Sequence, residues 1–246
     1  SMVTCHLLKD RNLEPVMQMV CRDRNRLALQ SDLLSAWVLG VENVLCLTGD
    51  YPTLGDHPGA KPVFDLDSVS LLQVAKGLNE GHDMMGNELD GKPDFCLGAV
   101  VTPGGNPVEM QIMKLEKKVE AGAEFIQTQA VYDVAQFEDF MAKVQHVKVP
   151  ILAGIVLLKS AGMARYMNNN VAGVFVPDEL IQKMAAAGAA DKEAKAAGLK
   201  ADNQVKTSIE IAADLVCKMK PMCQGVHIMP LGWDAHVVKV LDADGL

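Results

Sequence analysis

The 246-residue chain has no run of the roughly 18 to 20 uninterrupted apolar residues that a bilayer-spanning helix needs, so no membrane span is expected. Its opening, Ser1-Met2-Val3-Thr4-Cys5-His6, lacks a charged segment followed by an apolar one. No secretory signal is visible there, and a cytoplasmic location is the expectation. Basic residues are not in excess: 23 Lys and Arg stand against 31 Asp and Glu, for a formal net charge of -8. A duplex nucleic-acid binder, whose usual footprint is a basic face, is therefore excluded. A site that holds an anionic cofactor through a few local cations is not. The six cysteines include no C-x-x-C pair, and the Cys217–Cys223 spacing matches no common zinc knuckle, so no metal ligands are assigned. Cys21, Cys46 and Cys96 each sit in an apolar run, as small buried hydrophobes do, and read as reduced structural thiols. No G-x-G-x-x-G fingerprint occurs either. Disorder is excluded by a content of 49% hydrophobic and 22% charged residues.

Six short apolar runs are present instead, each followed by a helix-period stretch or a turn. They are Val16 to Cys21, Asn43 to Leu47, Phe95 to Val101, Phe125 to Val131, Pro150 to Val156 and Gly225 to Pro230. A helix is expected to close at Gly40, another to start around Leu66 with carboxylates in its first turn, and a third to stop at Ala121-Gly122-Ala123. A long Ala-rich helical stretch spans Ser160 to Met219. Near-continuous apolar strands alternating with helices signal parallel βαβ units covered on both faces. An open doubly wound sheet and a barrel compete. The missing glycine fingerprint, and polar and glycine residues gathered just after the strands, favour the barrel. Six strands are counted where a (βα)8 barrel has eight.

Several strand-end residues are candidates for chemistry. Asp50 follows a buried strand and the Thr48-Gly49 pair, where barrels carry their sites, although an aspartate before Tyr-Pro also suits a turn. Gly49 lets backbone approach a flat ligand closely. Thr128-Gln129 interrupts an apolar strand. A buried amide must satisfy a donor and an acceptor, as the edge of a heteroaromatic ring would allow, or else serves as a satisfied core group. Lys114, Lys117 and Lys118 share one helix. Taken alone they read as a solvated face, although such a cluster would also hold a pyrophosphate. His227 reads as a core histidine without a role. Trp233 either lines the mouth of the site or packs.

Cys46-Leu47-Thr48-Gly49-Asp50 with Pro52, then Lys117-Lys118-Val119-Glu120-Ala121-Gly122-Ala123-Glu124-Phe125-Ile126-Gln127-Thr128-Gln129, then Gly154-Ile155, resemble the methylenetetrahydrofolate reductases in order and spacing. The K-V-x-A-G-A-x-x-x-x-T-Q segment is the most specific part. The likeness runs from about Asn12 to Trp233 and is strongest to the short bacterial and archaeal form without a regulatory domain.

This resemblance implies a flavin-containing (βα)8 TIM barrel acting in one-carbon metabolism and methionine biosynthesis. It would reduce 5,10-methylenetetrahydrofolate to 5-methyltetrahydrofolate by hydride transfer through flavin N5. Asp50 corresponds to the family's aspartate near the flavin pyrimidine edge, and Gln129 to the glutamine that bonds the pterin. Thr48 and Gly49 correspond to flavin-contacting positions, and Lys117 and Lys118 to basic helix positions near its phosphates, which raises the whole cluster, Lys114 included, to a candidate cofactor site. Gln18 stands where many members have a histidine and Phe64 where some have a tyrosine, both beside the flavin. Trp233 stands near an arginine that contacts folate. FAD is favoured over FMN, with NAD(P)H or a partner iron–sulfur subunit as electron donor and a homo-oligomer as the assembly. Residues 1–246 are read as one flavin-binding barrel domain, incomplete at its N-terminus, whose first two strands, with the family's catalytic glutamate, are missing. Two alternatives stand beside this reading. One is a non-catalytic flavin- or folate-binding subunit of a one-carbon complex. The other is an unrelated aldolase-like barrel with Lys159 as Schiff-base former.

Overall fold

The computed structural model describes residues 1–244. Every apolar run forms a strand: β1 (Val16–Val20), β2 (Asn43–Leu47), β3 (Cys96–Val101), β4 (Phe125–Ala130), β5 (Ile151–Val156) and β6 (Gly225–Met229). Hydrogen-bonded neighbours follow chain order, β1-β2-β3-β4-β5-β6. The registers are parallel: Val16 stands opposite Asn43, Asn43 opposite Cys96, and Leu152 opposite Gly225. A parallel neighbour requires a crossover, which the intervening helices supply, so the chain is an α/β protein.

Contacts divide the described chain into two compact units, the first made of residues 1–100 and 114–126. It contains α1 (Met2–Lys9), α2 (Arg26–Val38), α3 (Ser68–Asn79) and the second half of α4 (Val108–Glu120). Local chemistry sets the helix ends. The Asn25 side chain accepts the Ala28 N–H at the start of α2, and the left-handed Gly40 (φ 78°) follows its end. Asp67 accepts the Ser70 N–H at 2.8 Å. The carboxylate expected inside the first turn of α3 is thus its cap, one position earlier, where it satisfies an orphan amide. Leu33, Val44, Leu71, Leu72, Leu97 and Leu115 are fully buried in this unit's core.

Strand β1 departs from the expectation of two covered faces. Met17 and Met19 are buried, whereas Val16 and Gln18 are exposed. β1 stands at one end of the strand order and has a single neighbour, whereas the internal β2 buries Val44, Leu45 and Cys46 in succession. All six cysteines are unpaired, and burial, with the nearby Asp67 carboxylate, pushes the Cys21 thiol up to about 11, which keeps it unreactive.

The second unit comprises residues 101–113 and 127–246. It holds β5, β6, α5 (Val134–Lys143), α6 (Ala161–Asn170), α7 (Asp178–Ala196), α8 (Asn203–Met219) and α9 (Val237–Asp244). The Ala-rich stretch is therefore three helices. Side chains of Asp133 and Ser160 cap α5 and α6. Phe137, Ile155, Leu157, Met184, Val216 and Met219 form the centre of the core. No helix among the described residues is long and apolar enough to cross a membrane.

One buried carboxylate ties α7 to α8. Asp191 accepts the Asn203 N–H at 2.7 Å, the Asn203 Nδ2 at 2.9 Å and the Gln204 N–H at 3.0 Å. It thereby caps a helix to which it does not belong. The bond from the Gln204 amide, and those from Asn203, hold its carboxyl below the ordinary range against the opposing effect of desolvation. A depressed native pKa means stability that is present above the unfolded value, near 3.9, and is lost as pH falls toward the native one. Asp191→Ala is expected to lower the thermal midpoint by roughly 3–8 °C at neutral pH, with the gap to the parent narrowing below about pH 4. Calorimetric scans across pH check both.

Candidate active-site residues

Parallel sheets present ligands at the C-terminal ends of their strands, and Thr48, Gly49, Asp50 and Gln129 fall there, whereas Gln18 lies in the middle of β1 and Lys114, Lys117 and Lys118 lie on α4. In the first unit, β1 runs into Cys21-Arg22-Asp23-Arg24-Asn25-Arg26 and β2 into Thr48-Gly49-Asp50. The Cys21 N–H donates to the Leu47 carbonyl at 3.0 Å, keeping the two ends together. Arg22 then crosses from one to the other. Its Nε and Nη2 donate to the two Asp23 oxygens at 2.6 and 2.9 Å, and its Nη1 donates to the Asp50 backbone oxygen at 3.2 Å. The Asp50 side chain is exposed and accepts no hydrogen bond among the described residues.

Gly49 adopts φ 90°, and a β-carbon there would stand 3.2 Å from the Cβ atoms of Arg22 and Val20. The turn against β1 itself demands glycine at this position. Thr48 Oγ1 accepts the Ser68 N–H at 3.1 Å, which fixes the start of α3 to the end of β2. Phe64, at φ 43°, places its ring edge-to-face against Tyr51, with centroids 5.2 Å apart. Val63 N donates to the Arg22 carbonyl at 2.7 Å. The unit thus gathers Thr48, Gly49, Asp50 and Phe64 around Arg22 and Tyr51, two residues that sequence reasoning passed over. The signal for Arg22 was present: three arginines alternate with Asp and Asn directly after a strand.

The three lysines of α4 separate. Lys118 is half-buried and its Nζ donates to the Val100 carbonyl, at the end of β3, at 2.7 Å. Burial lowers its pKa, the like charge of Lys114 lowers it further, and Asp67 opposes both. Lys117 is exposed and lies with Gln73, Lys76 and Glu80 along a groove between α3 and α4. Lys114 and Lys118, one turn apart, therefore belong together, and Lys117 faces elsewhere.

In the second unit, Gln129 lies near the end of β4. Its Oε1 accepts the Ala130 N–H at 3.0 Å, and its Nε2 donates to nothing among the described residues. The neighbouring Thr128 Oγ1 donates to the Gln129 carbonyl at 2.8 Å and accepts the Gly154 N–H at 2.8 Å, clamping β4 to β5. Tyr132 donates its hydroxyl to Val156 O at 2.9 Å. Trp233 is half-buried, 5.7 Å from the Lys159 Nζ, which itself donates to the Leu231 carbonyl. His227, on β6, is half-buried and does not join the buried core that its sequence setting suggested; the burial it has lowers its pKa.

Comparison with known proteins places this geometry in context. The family model described as methylenetetrahydrofolate reductase matches residues 1–245. Methylenetetrahydrofolate reductase 2 of Schizosaccharomyces pombe is 25% identical over 247 residues, which cover 94% of this chain and 35% of that protein. The 5,10-methylenetetrahydrofolate reductase of Pectobacterium carotovorum subsp. carotovorum is 26% identical over 154 residues, 61% of this chain and 46% of its own length. The chain thus spans about a third to a half of the length of these curated relatives.

Among solved structures, a Clostridium thermocellum protein that binds two copies of 5-methyl-5,6,7,8-tetrahydrofolic acid superposes with TM-score 0.56 at 18% identity. That match covers 97% of this chain and 75% of the other. A 2,3-dimethylmalate lyase of the PEP mutase/isocitrate lyase superfamily reaches 0.51 at 10% identity, over all of this chain and 66% of the other. At such identities the structural likeness speaks for the fold. The family model, matching almost end to end, speaks for descent: the chain belongs to the methylenetetrahydrofolate reductase family.

Proposed function

We propose that this chain forms a flavin-binding (βα)8-type barrel domain that reduces 5,10-methylenetetrahydrofolate to 5-methyltetrahydrofolate. The observation that carries the reading is the family match over residues 1–245. The folate ligand of the Clostridium thermocellum neighbour points to the same substrate class. Residues present suit an anionic flavin. Lys118 has two N–H donors left after bonding Val100 O, sits half-buried, and has Lys114 one turn away. That is the local cation a phosphate needs in a chain of net charge -8. FAD is the favoured form, with NAD(P)H or an iron–sulfur partner subunit as donor and a homo-oligomer as the assembly.

When bound, the flavin supplies the hydride through its N5. The chain's own contributions are positioning and charge. Arg22 holds the Asp50 backbone, and the carboxylate, which accepts no hydrogen bond among the described residues, is available to stabilise positive charge developing on the folate. Gln129 offers the unengaged Nε2 to an acceptor on the pterin. Thr48, Gly49, Phe64 and Gln18 are assigned to the flavin's surroundings, and Trp233 to the folate.

The test is anaerobic turnover with an artificial reductant, which removes the question of the natural donor. A purified protein with visible flavin absorbance should convert methylenetetrahydrofolate to 5-methyltetrahydrofolate. Bound flavin without product would favour the non-catalytic subunit. A protein that takes up no flavin would end the reading.

A further inference from the structure

Lys159 has no part in the function proposed above, yet it stands where strand-end chemistry concentrates. After β5 ends at Val156, the Leu157 N–H still donates to the Met229 carbonyl at 3.2 Å, so the chain leaves the sheet alongside β6. Two residues later the Lys159 Nζ reaches the loop that follows β6. It donates there to the Leu231 carbonyl and lies 5.7 Å from the centroid of the Trp233 ring.

The loop is built to meet it. Leu231 (φ 51°) and Gly232 (φ 88°) take the left-handed conformation in succession, which costs a leucine of order 1 kcal/mol. Leu231 is 54% exposed, so burial of its side chain does not repay that strain. A β-carbon on Gly232 would lie 3.9 Å from the lysine Nζ. The Trp233 N–H donates to Pro230 O at 3.0 Å, and the His236 N–H to Trp233 O at 2.9 Å, which fixes the indole. The imidazole of His236 packs edge-on against it at 5.7 Å, and its Nδ1 is buried with no partner among the described residues.

No carboxylate lies within ion-pair distance of Lys159 among the described residues, so the ammonium is not neutralised by the chain itself. Two of its three N–H donors are unused, and they sit beside the half-buried face of an indole. Such a pair recognises an oxyanion attached beyond a planar ring.

We propose that Lys159 and Trp233 form the subsite for the anionic end of the substrate, the indole taking the aminobenzoyl ring and the ammonium the glutamate carboxylate. This rests on the folate reading above. A flavin phosphate offers the same chemistry, but Lys114 and Lys118 already answer to it, so the carboxylate is the occupant assigned.

Calorimetric titration of the flavin-loaded protein with two probes tests this: 5-methyltetrahydrofolate, and 6-methyltetrahydropterin, which lacks the aminobenzoylglutamate. Lys159→Met should weaken 5-methyltetrahydrofolate binding about tenfold while pterin and flavin affinities stay within about twofold. Lys159→Arg should retain most of the affinity. Trp233→Leu, which keeps the lysine and removes the ring, should reproduce the selective loss. Equal weakening of both probes, no weakening of either, or a loss confined to the flavin would overturn the subsite. If the unsubstituted chain binds pterin and 5-methyltetrahydrofolate alike, the subsite falls and the folate reading survives. If it binds neither, both fall.

Discussion

Asp50→Asn is expected to lower methylenetetrahydrofolate reduction by about 10²–10³-fold while flavin affinity and thermal midpoint change little. The asymmetry follows from how the side chain is held. The Asp50 carboxylate is exposed and accepts no hydrogen bond among the described residues, whereas its backbone oxygen is the part that Arg22 grips. Asparagine keeps the shape and that backbone bond and deletes only the charge. A carboxylate that accepts no hydrogen bond is missed most when the opposite charge develops on a ligand, and once the bound ligand excludes water from it such stabilisation is worth several kcal/mol. Stopped-flow reduction of the folate by pre-reduced protein reads the chemical step directly. Unchanged turnover would remove Asp50 from the mechanism.

Gly154→Ala has the largest expected effect on stability, about 2–4 kcal/mol. Gly154 lies in the middle of β5, where a β-carbon would collide with the Thr128 carbonyl oxygen and stand 3.0 Å from that of Gln129. Both obstacles are backbone, so neither can swing aside as a side-chain tip would. Relief would require β4 and β5 to part, at the expense of the Gly154 N–H to Thr128 Oγ1 bond at 2.8 Å. The same movement displaces Gln129, so folate affinity should fall with stability. Gly59→Ala is the control, because nothing lies within 4 Å of its added carbon. It should stay within about 0.5 kcal/mol. Urea unfolding followed by circular dichroism compares the two, and a Gly154→Ala protein as stable as the control would contradict the packing argument.

The strands were legible because what makes them is local. Val16 to Val20, Asn43 to Leu47 and the other four runs are short, apolar and bounded by Gly, Pro or polar turns, and each became a strand within about a residue of its expected limits. Helix ends were legible for the same reason: Gly40 and Gly122 do adopt the left-handed conformations that their places after α2 and α4 suggested. Where the reading slipped, neighbours decided. Val16 and Gln18 are as much part of an apolar run as Val44 and Cys46, but only the latter strand has a partner on each side. Helical spacing put Lys114, Lys117 and Lys118 on one helix, yet which of them turns inward depends on what the helix packs against, and only Lys118 reaches the end of β3.

The linear order of residues was sufficient, then, for the alternation of strand and helix, for the positions of Asp50 and Gln129 at strand ends, and for family membership. All of these reside in segments of a few residues, where hydrophobic period, turn chemistry and motif spacing act without reference to the rest of the chain. Tertiary structure alone decided that Arg22 holds the Asp50 backbone across 28 positions, that Asp191 caps a helix other than its own, and that Lys159 meets the Leu231 loop across 72. Those contacts form only once the core has brought distant strand ends side by side, and no local preference encodes which loop will stand opposite which lysine.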